Sequence, residues 1–311
     1  MEVTTVVTFK PALGLLAVAL TVAAGVSGCS SANVGEGDGA TRSIETVRGT
    51  VDVPDSALRI VTLEPLELDT AVALGVVPVG TAVLSEAAGV PGYLGDEAVS
   101  IEMVGSVTDP RIESIAALQP DLILGTETRH GKFYDQLAGI APTVFMKSQS
   151  DPWKDNVRFV GRVLGKEGSA EDLLGDYDAR CSEVAEEHAT EGRTAQLIRP
   201  RNGELTLYGP SSFAGSTLEC AGFTTPPRPE WAEEISIDLS PELAGEARAD
   251  LIVVTSVDPS DPAAIPETIS DNAAALPNPH AVDQSYWITG VGPKGGLAVL
   301  DDIDRILSEQ N

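Results

Sequence analysis

Basic side chains are scarce in this sequence. Twenty Lys and Arg stand against 47 Asp and Glu in 311 residues, a formal charge of −27. A field of that sign excludes nucleic-acid binding through general electrostatics, and any Arg that converges on a cleft becomes informative. Histidine is equally sparse. His130, His188 and His280 stand apart, with no second ligand at metal-binding spacing and no nucleophile motif beside them. That argues against a histidine-rich metal site and against a hydrolytic triad. No Gly-x-Ser-x-Gly elbow, phosphate loop or dinucleotide fingerprint is read in the sequence, so no catalytic residues are assigned. Only three Cys are present, none in a C-x-x-C pair. Aromatics total fourteen (three Trp, five Tyr, six Phe), which makes the position of each worth reading. The N-terminal apolar run is too short to span a bilayer permanently, and no later run is long and apolar enough to cross one.

What is present begins with a sorting signal. Lys10 precedes an apolar run from Pro11 to Ala24, and Val26-Ser27-Gly28-Cys29-Ser30-Ser31 follows. This resembles the bacterial lipobox, which implies removal of residues 1–28 and acylation of Cys29, with several acyl chains giving durable anchoring to the outer face of the cell membrane. Residues 29–50 then read as a tether, beginning in Gly, Ser, Ala and acidic residues. In an exported chain the two remaining cysteines, Cys181 and Cys220, can form a disulfide or stay as two separately buried small residues.

From residue 51 the pattern alternates. Strands are expected at 59–63, 76–83, 103–105, 121–125 and 143–146, with helices at 66–74, 112–118 and 130–137 between them. The second half repeats the scheme, with strands at 195–198, 205–208, 250–255 and 285–289, and helices at 213–220, 267–276 and 297–307. Interleaving of this kind builds mainly parallel sheets covered on both faces. The segments Pro110-Arg111-Ile112-Glu113 and Ser240-Pro241-Glu242 each lead after eight residues into Asp-Leu-Ile, a faint internal repeat in which a helix with Pro at its start delivers a strand. Between the halves no strand signal appears. Trp153, Val157, Val160 and Leu164 mark one helix face, and a second helix opened by Ser169 runs through Leu173, Tyr177, Cys181 and Val184 for about 29 Å. The boundaries are therefore 51–150 for a first lobe, 151–190 for connecting helices and 191–311 for a second lobe.

The ordered series Arg59-Ile60-Val61-Thr62-Leu63, Leu74-Gly75-Val76-Val77-Pro78-Val79-Gly80, Val104-Gly105, Leu118-Gln119-Pro120-Asp121-Leu122-Ile123 and Ile140-Ala141-Pro142-Thr143-Val144 resembles the helical-backbone substrate-binding proteins of ABC importers for siderophores and vitamin B12. Arg129-His130-Gly131-Lys132-Phe133-Tyr134 and Leu207-Tyr208-Gly209-Pro210-Ser211-Ser212-Phe213 are similar to the siderophore branch, specifically its actinobacterial lipoproteins. The resemblance implies two Rossmann-like α/β lobes joined by a single long bridging helix. It implies a monomer that captures a ferric siderophore without a resident cofactor and delivers it to a membrane permease.

On that reading, Arg129 and Arg199, each just past a strand, offer guanidinium donors to the oxygens around the iron. Arg201 is a weaker substitute for Arg199. Tyr208, Trp231 and Trp287 fall at strand ends and suit the apolar arms of a chelate, whereas Trp153 sits on a core face. Hydroxamate-binding relatives carry an Arg two residues after the Val-Gly of the third strand. Here Val107 stands there, with Arg111 four residues on, a departure from the hydroxamate pattern. By resemblance Glu113 and Glu242 dock onto the permease, with Asp238 as an alternative to Glu242. Competing expectations are a haem or corrinoid receptor using His130 or a Tyr as axial ligand, a receptor for bare metal ions, and an envelope interaction module without transport.

Overall fold

The computed structural model describes residues 40–56, 59–149 and 152–310, all within one compact unit, Gly39–Asn311. The signal segment 1–28, the lipobox with Cys29 and the start of the tether lie outside the described residues.

The chain enters through an antiparallel hairpin of β1 (Thr41–Thr46) and β2 (Gly49–Pro54). The expected tether of 29–50 therefore extends too far, since its last residues are paired. Thr41 to Thr46 alternate exposed and half-buried along the strand, the two-residue period of a sheet with one covered face. Gly49 supplies the positive φ of 98° that the turn requires.

The first lobe follows as β3 (Ile60–Thr62), α1 (Pro65–Ala73), β4 (Gly80–Val83), β5 (Glu102–Ser106), β6 (Asp109–Pro110), α2 (Ile112–Ala117), β7 (Leu122–Thr126), α3 (Glu127–His130), α4 (Tyr134–Ala138) and β8 (Thr143–Met146). Its sheet has the order β6-β5-β4-β3-β7-β8, parallel except where β6 turns back on β5. Pro110 is thus part of a strand edge, and Arg111 is the N-cap of α2. The helix expected at 130–137 is broken into α3, a 3₁₀ turn over Gly131–Phe133, and α4.

The connecting helices α5 (Trp153–Val163) and α6 (Glu167–His188) carry the chain between the lobes. At 22 residues α6 is about 33 Å long. It begins two residues before Ser169 and ends at Ala189, which takes the left-handed conformation. Its apolar positions Ala170, Leu174, Tyr177, Cys181 and Val184 are buried. The second lobe comprises β9 (Ala195–Arg201), β10 (Glu204–Tyr208), α7 (Phe213–Cys220), β11 (Ser236–Leu239), β12 (Leu251–Ser256), α8 (Glu267–Ser270), β13 (His280–Asp283), α9 (Gln284–Trp287) and α10 (Pro293–Gln310). Its sheet, β11-β10-β9-β12-β13, is parallel at β9, β12 and β13 and antiparallel at β10 and β11, so it is more mixed than expected.

One apolar core runs through both lobes. It passes from Ile60, Leu122 and Val144 of the first sheet, through Val157, Leu174 and Tyr177 of the helical layer, to Leu197, Val253 and Leu300 of the second lobe. Cys181 of α6 and Cys220 of α7 are joined by a disulfide with Cα atoms 5.4 Å apart, which fastens the bridging helix to the second lobe. Arg180 of α6 adds salt bridges to Asp301 and Asp304 of α10. A continuous core of this kind resists independent movement of the lobes.

Candidate functional site

The parallel strands of the two sheets point their carboxyl ends toward one another, the place where open α/β sheets hold ligands. A cavity of about 780 Å³ lies there, within the size range of small-molecule sites. The first lobe contributes Glu64 after β3, Leu84 after β4 and Arg129 after β7. The second contributes Arg199 of β9, Val257 after β12 and Asp283 at the end of β13.

Arg129 and Arg199, chosen from sequence, are both on the cavity wall, but in different electrostatic states. Arg129 Nη1 donates to Glu64 Oε2 at 2.6 Å, and Glu64 is only 1% exposed. Thr126 Oγ1 donates to the other carboxylate oxygen at 2.8 Å. Burial pushes the Glu64 pKa up, while Arg129 and the Thr126 hydrogen bond pull it back. Arg199 has no carboxylate partner among the described residues; its Nη1 lies 3.5 Å from the Tyr208 hydroxyl. Arg201 instead turns to Asp238 at 3.2 Å and Thr206.

The turn that bears Arg129 is braced from behind. Arg48 at the hairpin tip clamps both oxygens of Glu127 at 2.7 Å and donates to the Gly131 carbonyl. His130 is fully buried, with Nδ1 accepting from the Thr126 N–H and Nε2 facing the Val107 carbonyl, both at 2.9 Å. A carbonyl only accepts and a backbone N–H only donates, so the ring must be neutral with its proton on Nε2. Burial accordingly lowers its pKa to about 4, with Arg129 and Lys132 adding to the effect.

The aromatic expectations fare differently. Trp287 is not in the cleft. It is 1% exposed, belongs to the main core and donates its indole N–H to Asp302 at 2.9 Å. The strand expected at 285–289 is instead β13 followed by α9, whose start is capped by Asp283 accepting from the Ser285 N–H. Trp231 is half-buried against Gly209 and the second-lobe core, and donates to the Pro226 carbonyl. It too is absent from the cavity wall. Tyr208 packs on the core with its hydroxyl beside Arg199, behind the wall rather than on it. Among the described residues, the aromatic that lines the cavity is Tyr93.

Sequence reading missed a group of buried carboxylates on α1. Besides Glu64, both Glu67 and Asp69 are buried. Glu67 Oε2 accepts from the N–H groups of Leu63 and Glu64, while Oε1 has no partner; burial drives its pKa well up. Asp69 reaches across to the other lobe. It accepts from the Tyr93 hydroxyl and from the N–H groups of Lys294 and Gly295 at the start of α10. The signal was available, because Leu63, Leu66 and Leu68 interleave with these acids and leave α1 no polar face.

The expectation of no dinucleotide fingerprint needs correcting at the level of spacing, because Gly290-Val291-Gly292-Pro293-Lys294-Gly295 has the Gly-x-Gly-x-x-Gly pattern at the start of α10. Asp69 already occupies that helix N-terminus, and a Cβ at Gly292 would stand 2.4 Å from its carboxylate. The glycines serve lobe-to-lobe packing here, with no room for a phosphate.

A family profile described as "Periplasmic binding protein" matches residues 60–275. The chain is 32% identical to the protein named "Probable siderophore-binding lipoprotein YfiY" of Bacillus subtilis, over 88% of this chain and 90% of that one. It is 30% identical to the Fe(3+)-citrate-binding protein YfmC of the same organism, over 73% and 75% of the two chains. Among solved structures it is similar to Staphylococcus aureus SirA complexed with staphyloferrin B, with 29% identity and a TM-score of 0.71 over 86% of this chain and 99% of SirA. These matches run through both lobes and the helices between them, the same frame that forms the cavity. The chain belongs to the periplasmic binding protein family.

Proposed function

We propose that this protein is an extracytoplasmic, lipid-anchored binding protein that takes a ferric siderophore into the cleft between its lobes and delivers it to an ABC permease. The observation that carries the reading is the cavity itself, at the carboxyl ends of both sheets, with the Arg199 guanidinium on its wall and no carboxylate bonded to it among the described residues. The oxygens around ferric iron carry negative charge density, and a forked donor of fixed charge suits them. The relatives whose names or titles mention siderophores and ferric citrate support the same class of ligand.

Anchoring rests on the lipobox at Cys29, and among the described residues no helix is long and apolar enough to cross a membrane. The Cys181–Cys220 disulfide fits an oxidising compartment outside the cytoplasm. Glu113, in the first turn of α2, and Glu242, in the 3₁₀ turn Pro241–Ala247, are both exposed carboxylates at helix starts, suited to basic residues on a permease. Asp238 is the weaker docking residue because Arg201 and Thr206 already hold it.

The rival ligands find less support. A haem or corrinoid would draw on His130 or a tyrosine as axial ligand. Both His130 nitrogens are engaged, no histidine lines the cavity, and the Tyr93 hydroxyl is bonded to Asp69. Two groupings of possible metal ligands occur among the described residues, Asp178 with Cys181 and Cys220, and Glu187 with His188 and Asp304. The first is consumed by the disulfide and the second faces Arg180, and both lie where α6 packs on the second lobe, with none of their residues on the cavity wall.

Calorimetric titration of the full chain with ferric chelates tests the proposal. Arg199→Gln is expected to weaken binding about tenfold, the worth of a charged hydrogen bond, with little change in melting temperature because Arg199 holds no salt bridge among the described residues. Tight binding of free Fe(3+) or haem instead of chelates, or unchanged affinity in the variant, would refute it.

A further inference from the structure

The charged groups on the cavity wall cancel. Arg129 and Arg199 bring two positive charges, and Glu64 and Asp283 bring two negative ones. For a receptor of anions this is a poor balance, and the remainder of the protein, at −27 overall, does nothing to correct it.

Glu64 is the group that sets the balance. Its carboxylate lies beneath Arg129, fixed at both oxygens by Arg129 and Thr126. A buried anion of this kind cannot be ignored by a ligand, because the low-dielectric surroundings leave its field largely unscreened. A ligand carboxylate or catecholate that drew Arg129 to itself would strand Glu64 without its counter-ion. Glu67, buried immediately behind with one oxygen unpartnered, offers no relief. A chelate of little net charge meets neither obstacle. Its coordinating oxygens still accept hydrogen bonds from Arg199 and from the Arg129 N–H groups not directed at Glu64.

We propose that Glu64 is a specificity-determining residue, which holds the Arg129 charge in a buried ion pair so that the cleft selects neutral or weakly charged ferric chelates over strongly anionic ones. The inference rests on the cleft being the chelate site. It treats Glu64 as a negative element that works by penalising the wrong ligand.

The test is a charge series on the full chain: a neutral ferric tris-hydroxamate, ferric citrate and a trianionic ferric tris-catecholate, titrated into the wild type and Glu64→Gln. The wild type should bind the neutral chelate at least about tenfold more tightly than the trianionic one, and Glu64→Gln should narrow that ratio by about tenfold through tighter binding of the anionic chelate. A wild-type preference for the trianionic chelate, or a ratio that Glu64→Gln leaves unchanged, overturns the inference while the chelate-binding reading stands. Binding of no chelate by the wild type overturns that reading as well. If Glu64→Gln does not fold, a wild-type preference for the trianionic chelate still overturns the inference.

Discussion

Replacing Cys181 and Cys220 together by alanine is expected to cost about 4 kcal/mol of stability, from the entropy that a cross-link of this length removes from the unfolded chain. The bond closes 39 residues, from the middle of the bridging helix α6 to the end of α7. In a unit of this size the loss corresponds to a fall of roughly 8–16 °C in melting temperature. The loop it closes contains β9, β10 and most of α7, hence Arg199 and Tyr208. Opening the bond should therefore loosen the second-lobe half of the cleft before the first. Thermal melts with and without reductant check this in the wild type. Identical curves under reducing and oxidising conditions would show that the bond does not contribute.

The second large effect depends on pH and on His130. In the folded chain its pKa is lowered to about 4, because a buried ring accepting from Thr126 and donating to Val107 has no place for a second proton. Unfolded, the same ring titrates near its ordinary value of about 6.5. Between those values the unfolded state binds the extra proton, so stability falls as the pH drops, and the full loss is about 3 kcal/mol below pH 4. Asp69 acts with the opposite sign. Burial raises its pKa to about 6, so the folded state takes up a proton first and gains stability as pH falls through that value. The two are separated by the difference between wild type and His130→Asn. That difference should be flat above pH 7 and shrink steadily toward pH 4. A pH-independent difference would mean that the imidazole does not titrate as its hydrogen bonds require.

Much of the fold was legible because local pattern and tertiary packing agreed. Thr143–Met146 and Phe213–Cys220 have the boundaries expected, the first a β-rich run after Pro142 and the second a helix capped by Ser212, which accepts from the Gly215 N–H. Failure came where the two disagreed. Ser285 to Thr289 is rich in strand-forming side chains, yet Asp302 of α10 draws both Tyr286 and Trp287 inward and the segment coils into a helical turn. The true strand, His280–Asp283, carries only two apolar residues and gave no comparable signal. The hairpin at 41–54 was missed because its alternation is mostly polar.

The candidate site was legible only in part, for a related reason. Positions just past strand ends identify which residues can reach a cleft, and Arg129 satisfies that rule, whereas β9 runs on beyond the expected end at 198 and Arg199 reaches the wall from within the strand, paired with Thr206. Which of them retains an unopposed charge depends on Glu64, which comes from a strand end 65 residues away. Sequence spacing carries no information about that pairing. It also changes what Arg129→Ala would report. An exposed Arg aimed only at a ligand would lose binding with little loss of stability, whereas the structure makes Arg129 the counter-ion of the buried Glu64 carboxylate, so both should fall.

The position of the iron is the most direct test. A crystal of the protein grown with the chelate it binds most tightly should give an anomalous iron peak inside the cavity between the lobes, with ligand oxygens in hydrogen-bonding reach of Arg199. An iron peak on the outer surface, or bound directly by His188 and Asp304 between α6 and α10, would contradict the account.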